Sequence, residues 1–554
     1  MLKQSAFLEK TKWQVIFLAA AVALLYLRTL PYEFIGLDEQ TLLVEKGAFN
    51  SQLSNIPTAF SEHVFKTEGY TGSPGSKKFY RPLLTASFII DAQFSGESFK
   101  LFHFTNLLIH LLSVLGLLFV LKAMNVNPLL SFLLSLLFAV HPLLSQAIAW
   151  IPGRNDSMVC AFLLWSYYFY LRQLGQPGAG PLLLHFLLTA CALFTKENAA
   201  LFVLLIGFSL FFIHNQTPGR SKKFFLLGGH LMLIVLWFVA RKNATGESGI
   251  SLDGSALFHS FMKNFPLALQ SFQKTLLPVN LSVMASVKDL NYGWSFLAIA
   301  VFSAAIYFTK KIPWAELTFG LLWFFLFLLP TLLFSYFEGM EHRSYLPAAG
   351  LLIALAHTDP LRKIAAGHSF GQWIAAAVIL FFTVVTYIRL PVFSGEYNYW
   401  KNAYETSKHS AVVCRDYGVI LTKMGDYPNA EKAYLEGIRR NPKETLLHYN
   451  LGVMYFKMGQ LDLAKEQLAK ELEINTTNFM IYHVLGVIYE KQGRNEEAAM
   501  MWEEAVSINP NFVESYKELL SHYSSVRDSL NFVRCKNILE KNGLRIVNKK
   551  DGER

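Results

Sequence analysis

The sequence has few cysteines, and none is spaced for a metal site or a disulfide framework. Two lie in apolar stretches and two lie far apart in the C-terminal part: Cys160, Cys191, Cys414 and Cys535. Without a CxxC pair or a zinc-ligand spacing, the sequence predicts neither a disulfide-rich fold nor a zinc site. It also lacks the GxGxxG and GxxxxGK[ST] motifs, which argues against a soluble nucleotide-binding domain.

Charged residues are scarce as well, at 16% of the 554 residues, against 53% hydrophobic and 15% aromatic residues. Most of them fall in residues 31–81 and after residue 391, so the chain between is strongly apolar. The net charge of +10 is not gathered into a basic stripe with interleaved aromatics, and nucleic acid is therefore not an expected partner. Long apolar runs joined by basic turns are typical of a helical membrane protein.

The apolar stretches predict an all-α, polytopic membrane domain over residues 1–395 with about eleven spans. With the N-terminus in the cytoplasm, the short inner turns carry lysine and arginine, as the positive-inside rule requires. Eleven spans put residues 396–554 outside, on the side of the polar loop 31–80. Short loops and few asparagine glycosylation sites favour a bacterial inner membrane with a periplasmic C-terminal part; an endoplasmic reticulum membrane is the eukaryotic alternative. The spans cover residues 13–30, 101–122, 128–145, 157–172, 181–195, 198–214, 224–241, 294–309, 314–336, 345–358 and 370–390.

Residues 396–554 change character and repeat with a period of 34. This is the period of the tetratricopeptide repeat, which stacks pairs of antiparallel helices into an α-solenoid. Three units over residues 408–441, 442–475 and 476–509 precede a degenerate cap over residues 510–543. Such arrays mostly bind proteins or peptides, and the period itself carries no chemistry. The recurring positions include Gly418, Gly452 and Gly486, then Gly425, Gly459 and Gly493, and finally Asn441, Asn475 and Asn509.

An adjacent acid pair, Asp38 and Glu39, follows the first apolar stretch. Carboxylates at a membrane surface are costly to desolvate, so the pair indicates a site; a solvated loop is the alternative, since surface acids are common. Further polar clusters lie near the outer ends of the predicted spans, where converging polar groups line a site or a water-filled cavity. They are Tyr80-Arg81, His103 with Asn106 and His110 on one helix face, His141, Arg154 with Asp156, Lys196-Glu197, and Glu341 to Tyr345; of these, His110 alone lies away from the outer ends.

Each of these clusters has an alternative that is only structural. The three residues on one helix face fit interhelical hydrogen bonds. Lys196-Glu197 fits a local ion pair in a turn, and Asp156 fits a helix cap. Arg81 and Arg343 are different, because a guanidinium makes a two-pronged contact that suits phosphate or pyrophosphate.

The order of these motifs, followed by the repeats, resembles the transmembrane and tetratricopeptide-repeat O-mannosyltransferase family and its bacterial relatives, within the C-type glycosyltransferase superfamily. The resemblance covers nearly the whole chain. It implies an integral-membrane enzyme that moves a sugar from a polyprenyl-phosphate donor to an acceptor, above all a protein hydroxyl, on the non-cytoplasmic side. It also implies a divalent metal, Mg²⁺ or Mn²⁺, for which the acid pair would supply ligands.

The resemblance implies roles for particular residues. Asp38 acts at the acceptor or holds a metal with Glu39, and which of the two is the base stays open, because many relatives carry two aspartates here. The donor phosphate contacts basic residues, which in this sequence are Arg81, Arg154, Lys196 and Arg343. Six further residues are expected to line the cavity: His103, Asn106, His141, Glu197, Glu341 and Tyr345.

The chemistry is coherent without the family. Glycosyl transfer to a hydroxyl needs a base near the acceptor and stabilisation of charge at the leaving phosphate. A transporter of lipid-linked sugars is one alternative, which predicts charges near the bilayer midplane and repeated halves. A non-catalytic scaffold whose repeats recruit an envelope complex is another, and it predicts that Asp38 and Arg343 are dispensable. Convergence of Asp38, Arg81 and Arg343 would favour the enzyme, with the repeats presenting a protein acceptor or an accessory partner.

Overall fold

The computed structural model describes residues 10–67, 79–96, 98–214, 218–246, 253–334, 339–365 and 369–542. The chain divides into two compact units, Met1–Lys408 and His409–Arg554. The helix Glu396–Thr406 therefore lies with the first unit, and the expected boundary at residue 396 is corrected to residue 408.

The described part of the first unit is built from helices of very different length, joined by short helical turns. Their hydrophobic side chains are spread around most of each helix, as expected where both the interior and the surroundings are apolar. The helices are α1 (Thr11–Tyr26), α2 (Pro82–Ser95), α3 (Lys100–Ala123), α4 (Pro128–Ala139), α5 (Ser145–Ala149), α6 (Arg154–Gly175), α7 (Ala179–Thr195), α8 (Phe202–Phe208), α9 (Arg220–Thr245), α10 (Gly254–Leu276), α11 (Tyr292–Tyr307), α12 (Trp314–Leu333), α13 (Tyr345–Ala356), α14 (Asp359–Ala365), α15 (Ser369–Arg389) and α16 (Glu396–Thr406).

The all-α fold is confirmed, and each of the eleven predicted apolar stretches contains a helix. Among the described residues, five helices are long and apolar enough to cross a membrane, and six if α4 and the helical turns after it form one span with a 47° bend. The count of eleven spans therefore stays a prediction. The hydrophobic pattern did not show α2 and α10, because polar residues such as Asp91 and Lys274 interrupt both.

Close packing of α12 against α13 positions the turn that leads into α13. A Cβ atom on Gly320 would lie 2.5 Å from the Ala354 nitrogen, and one on Gly350 would lie 2.7 Å from the Gly320 oxygen. Only glycine allows the two backbones to approach this closely. Trp323 then donates its indole N–H to the Leu346 carbonyl at 3.0 Å. The first turn of α13, and with it the preceding residues 341–344, is thereby held against the bundle.

The second unit consists of helix pairs in the predicted 34-residue register, so the repeat fold is confirmed. Its first helices end at Gly425, Gly459 and Gly493, each with φ between 75° and 80°, a left-handed conformation that glycine adopts without strain. The pairs are α17 (Ala411–Met424) with α18 (Tyr427–Arg440), α19 (Leu447–Lys457) with α20 (Leu461–Ile474), α21 (Phe479–Lys491) with α22 (Asn495–Ile508), and α23 (Val513–Ser525) with α24 (Ser529–Lys541).

The stacking of these pairs is curved. The first helices α17, α19 and α21 pack directly against one another from unit to unit, whereas the second helices lie farther apart. Elements that are closer together lie on the inner side of a curved stack, so the first helices line the concave face of this unit.

Candidate active site

The acid pair lies in the loop that follows α1. Gly36 and Leu37 both have left-handed backbone, with φ of 79° and 52°, which turns the chain sharply just before the pair. Glu39 is 1% exposed. Its Oε2 accepts the Ile35 N–H at 2.5 Å and its Oε1 accepts the Ile151 N–H at 3.2 Å. Glu39 Oε1 thus fastens the loop to the turn before α6, while Oε2 closes the loop on itself.

Asp38 has a different environment from its neighbour. Its side chain is partly exposed and makes no hydrogen bond with any residue that the structure describes. Burial raises the pKa of Asp38, while the positive charges of Arg81 and Arg343 oppose that shift. Burial also raises the pKa of Glu39, to about 8, despite its two main-chain hydrogen bonds. Of the two acids, Asp38 is the one that faces cations and keeps its oxygens free.

Two ion pairs cross between elements at this end of the bundle. Arg81, just before α2, makes a two-pronged contact with Glu197: Nε to Oε2 at 3.2 Å and Nη2 to Oε1 at 2.8 Å. Lys196 Nζ lies 2.6 Å from Asp156 Oδ1, in the first turn of α6, and 3.2 Å from Asn155 Oδ1. The local Lys196-Glu197 pair is therefore wrong, because each of these neighbours binds a different helix. The Asp156 carboxylate holds a lysine instead of capping α6.

Arg343 lies in the turn before α13 and has unused hydrogen-bond donors. Its half-buried side chain makes no hydrogen bond or ion pair with any described residue. The charges that act on it belong to Asp156, Arg81 and Asp38, so it lies at the same cluster as the acid. It also borders a narrow pocket between α10 and α12. That pocket is lined by the polar Gln270, Ser271 and Thr331 and the apolar Leu267, Leu328 and Met340.

Arg154 does not fit the expected phosphate role. It is fully buried, and all three of its side-chain nitrogens are engaged. Nε donates to Asn106 Oδ1 at 2.7 Å, and Nη1 donates to Ser87 Oγ at 3.0 Å. Nη2 donates to the Phe102 carbonyl at 2.8 Å and lies 2.6 Å from Asp91 Oδ2. Arg154 therefore holds α2, α3 and α6 together and is sealed from a ligand by its burial.

Four residues expected to line the cavity are instead buried between helices. Each is at most 1% exposed, and each bonds to main chain or to another buried side chain. For His103 and Asn106 these contacts fit the alternative of interhelical hydrogen bonding. The contacts are Asn106 Nδ2 with the Ile148, Trp150 and Ile151 carbonyls at 3.1 to 3.3 Å, His103 Nε2 with Tyr32 O at 3.2 Å, His141 Nε2 with Thr275 O at 2.9 Å, and Tyr345 Oη with His110 Nδ1 at 2.5 Å.

Glu341 anchors the turn that carries Arg343. Its buried carboxylate accepts hydrogen bonds from Lys274 Nζ at 2.8 Å and from the Ser282 N–H at 2.7 Å, and it also contacts Arg389. These contacts fasten the turn to α10, to the loop after α10 and to the end of α15. Because Lys274 and Arg389 are themselves buried, loss of the Glu341 carboxylate would leave two buried cations without it, so this anchor is costly to break.

Gln146 is a second anchor that the sequence did not reveal. Its Oε1 accepts the His342 N–H at 3.1 Å, and its Nε2 donates to Val283 O and Tyr399 Oη, both at 3.3 Å. A single glutamine in an apolar run carries no recognisable pattern. Lone charges inside apolar helices were the available signal for Asp91, Lys274 and Arg389, since such charges need partners.

The divalent metal expected at the acid pair stays a prediction. Both Glu39 oxygens accept main-chain N–H groups, whereas those of Asp38 accept none from a described residue. Within the part of the chain that the structure describes, no group of three or more histidine, cysteine, aspartate or glutamate side chains is placed to hold a metal ion.

Comparison with known proteins agrees with the motifs. The family profile "Tetratricopeptide repeat" matches residues 447–478 and 481–512. The protein O-mannosyl-transferase TMTC1 of Homo sapiens is 33% identical over 159 residues, covering 26% of this chain and 18% of that protein. TMTC3 of Homo sapiens is 24% identical over 487 residues, covering 79% of this chain and 52% of that protein. Among solved structures, MamA is 20% identical, covers 27% of this chain and 90% of that chain, and has a TM-score of 0.25.

These matches confirm the resemblance drawn from the motifs: the homologues are TMTC proteins, and the C-terminal repeats are tetratricopeptide repeats. The chain spans about half the length, or less, of the curated relatives that it matches.

Proposed function

We propose that this chain, a homologue of the TMTC protein O-mannosyl-transferases, is an integral-membrane glycosyltransferase that moves a sugar from a polyprenyl-phosphate carrier to a protein hydroxyl. The observation that carries the proposal is the convergence of Asp38, Arg81 and Arg343 in the first unit. An acid and two arginines come together from three distant parts of the sequence. They supply a base for a hydroxyl and cations for a phosphate, which a scaffold does not need.

Asp38 is the base in this proposal. Its oxygens are free and partly exposed, and they face the two arginines. Glu39 is a positioning residue, because its oxygens are used to fix the loop and its side chain is sealed from solvent. The assignment that the sequence left open between the two acids is thereby made in favour of Asp38.

Arg343 is the donor-phosphate contact. A guanidinium with free donors offers two parallel N–H groups to phosphate oxygens. Arg81 and Lys196 keep their carboxylate partners and contribute positive charge to the site without contacting the phosphate directly. The pocket beside Arg343 brings polar side chains and leucines next to that guanidinium.

The reaction balances with these groups alone. The acceptor hydroxyl oxygen attacks the anomeric carbon while Asp38 takes the hydroxyl proton. The bond between that carbon and the phosphate oxygen breaks, and its electron pair goes to the phosphate. Arg343 stabilises the negative charge that develops there. Attack from the side opposite the phosphate inverts the anomeric centre.

The repeat unit has a separate task in this proposal. Stacked helix pairs present a long concave surface that suits an extended peptide. We assign it the recruitment of the protein acceptor or of an accessory partner. The positive-inside pattern of the inner turns supports an active site on the non-cytoplasmic side, and the short loops and few asparagine glycosylation sites favour a bacterial inner membrane.

Glycan and intact-mass analysis of envelope proteins tests this function. Cells that lack the chain are complemented with the wild type, with Asp38→Asn or with Glu33→Gln, an exposed acid in the same loop. A general base contributes roughly 10²- to 10⁴-fold, so Asp38→Asn should abolish detectable transfer. Glu33→Gln should leave it unchanged.

Membrane levels of each variant, measured by immunoblot, separate lost chemistry from lost protein. Normal glycosylation by a well-expressed Asp38→Asn protein would reject Asp38 as the base. An unaltered envelope in cells without the chain would reject protein glycosylation as its function.

A further inference from the structure

The concave face of the repeat unit repeats its chemistry together with its fold. The last turn of α17, α19 and α21 carries one exposed lysine each, at the same position in every repeat; these form the lysine row, Lys423, Lys457 and Lys491. Side chains four residues apart share a helix face. Four residues before each lysine lies a half-buried valine, at Val419, Val453 and Val487. Each first helix therefore presents a valine next to a lysine.

The charges on the second helices are arranged differently. There, most cations are neutralised by an acid three or four residues away on the same helix, as in Arg439 with Glu436, Lys465 with Asp462 and Lys470 with Glu466. In contrast, Lys457 and Lys491 make no ion pair with any described residue.

One lysine of the row also contacts the neighbouring repeat unit. Lys491 Nζ lies 4.8 Å from the ring centre of Phe456, which belongs to the first helix of the preceding unit. A lysine over an aromatic face keeps its charge while its position is restrained. Glu490 is an exposed acid next to Lys491 in the sequence. The groove therefore combines an apolar valine floor with a positively charged edge.

The spacing of the row fits an extended chain. Helices that pack against each other have axes about 8–10 Å apart. A peptide in the polyproline II conformation advances roughly 9 Å in three residues and presents every third side chain on the same face, whereas β-strand side chains alternate between faces. Successive lysines thus match side chains at every third position of an extended segment.

We propose that this groove binds an extended acidic segment of a partner protein, with a carboxylate at every third residue against the lysine row and apolar side chains between them against the valines. If that partner is the acceptor, the inference deepens the function proposed above and rests on it. The binding preference itself follows from the surface of the repeats, and it can be tested without any transfer reaction.

The test uses the full chain in detergent and the fluorescence anisotropy of labelled peptides. One peptide carries glutamate at every third position among valine and serine, and its twin carries glutamine there. A third has the same glutamates at every fourth position. The first peptide should bind at least about 10-fold more tightly than its twin, and more tightly than the third, because each exposed charge contact is worth about 1.5- to 5-fold.

Variants locate the contact. Lys423, Lys457 and Lys491 changed together to glutamine should weaken binding of the first peptide about 10-fold or more, and Lys457→Gln alone about 2- to 5-fold. The matched control changes three exposed lysines on second helices, Lys432, Lys470 and Lys536, which removes the same net charge. It should change binding less than about 2-fold. Thermal unfolding followed by circular dichroism verifies that each variant is folded.

Three results would overturn the proposal. Equal binding of the glutamate and glutamine peptides would remove the charge preference. Equal loss in both triple variants would remove the lysine row. Self-association of the chain that the row variant abolishes would make the groove an interface between two copies. A positive result without transfer activity would leave the groove assigned and reject the enzyme.

Discussion

Replacing Arg343 separates a ligand-binding arginine from a structural one. Arg343 makes no hydrogen bond or ion pair with any described residue, so Arg343→Ala should change the free energy of unfolding by no more than about 0.5 kcal/mol. Loss of this side chain should instead weaken binding of the donor phosphate. Arg362→Ala is the matched control, because Arg362 is an exposed arginine 3.9 Å from Asp359 and away from the acid pair.

The size of the effect follows from the half-buried position of the side chain. Truncating one partner of a buried charged contact typically costs about 2–5 kcal/mol. Arg343 is partly open to solvent, which screens charge, so the lower end applies. About 2–3 kcal/mol corresponds to a 30- to 150-fold loss of turnover at limiting donor. Arg343→Lys should recover less than about 10-fold, since an ammonium makes no two-pronged contact.

The assay measures transfer from a short-chain polyprenyl-phosphate sugar to a synthetic hydroxyl peptide over a range of donor concentrations. Arg343→Ala should shift the dependence of the transfer rate on donor concentration and leave its dependence on acceptor concentration unchanged. Arg343→Ala with normal donor dependence would refute the phosphate contact. A strongly destabilised Arg343→Ala protein would refute the claim that the side chain has no structural partner.

Three further outcomes are expected. Arg154→Ala should destabilise the membrane unit by about 3–5 kcal/mol in reversible unfolding, because Asp91 is left buried without its cation; a stability equal to that of Arg343→Ala would contradict this. The pKa of Glu39 is raised to about 8, so between about pH 5 and pH 8 the folded protein holds a proton that the unfolded chain releases. The free energy of unfolding should therefore fall as pH rises through that range. Glu39→Gln should flatten the fall, as melting curves at several pH values would show. Deleting residues 409–554 should spare transfer to a short peptide and abolish transfer to the full-length acceptor, whereas equal loss of both would assign the repeats to stability.

The repeats could be predicted from sequence because their order is local. Asn441, Asn475 and Asn509 recur at the predicted interval, and each of them ends a second helix. A helix pair is specified by residues within one unit, so periodicity alone locates it. The amphipathic helix α10 was not predicted, because its polar face lowers the mean hydropathy from which an apolar span is recognised.

The candidate site could be predicted only in part, because the role of each residue depends on partners that lie far away in the sequence. Arg154 and Arg343 look alike as arginines beside apolar helices. What distinguishes them is that Asp91 and Asn106, 63 and 48 positions before Arg154, occupy its donors, while no described residue occupies those of Arg343. In the same way, the roles of Asp38 and Glu39 diverge because the Ile151 N–H reaches one carboxylate and not the other.

The crossed ion pairs around Asp38 have a consequence for electroneutrality. Three carboxylates and three cations meet there: Asp38, Asp156 and Glu197, with Arg81, Lys196 and Arg343. Burial holds the pKa of His342 well below its ordinary value, so this imidazole adds no charge. A monoanionic donor then enters a region without net charge and is selected by local geometry, which salt disturbs little. Lys457 and Lys491 make no ion pair with any described residue, so dissolved salt should weaken binding of the proposed acidic segment and leave binding of the proposed donor nearly unchanged.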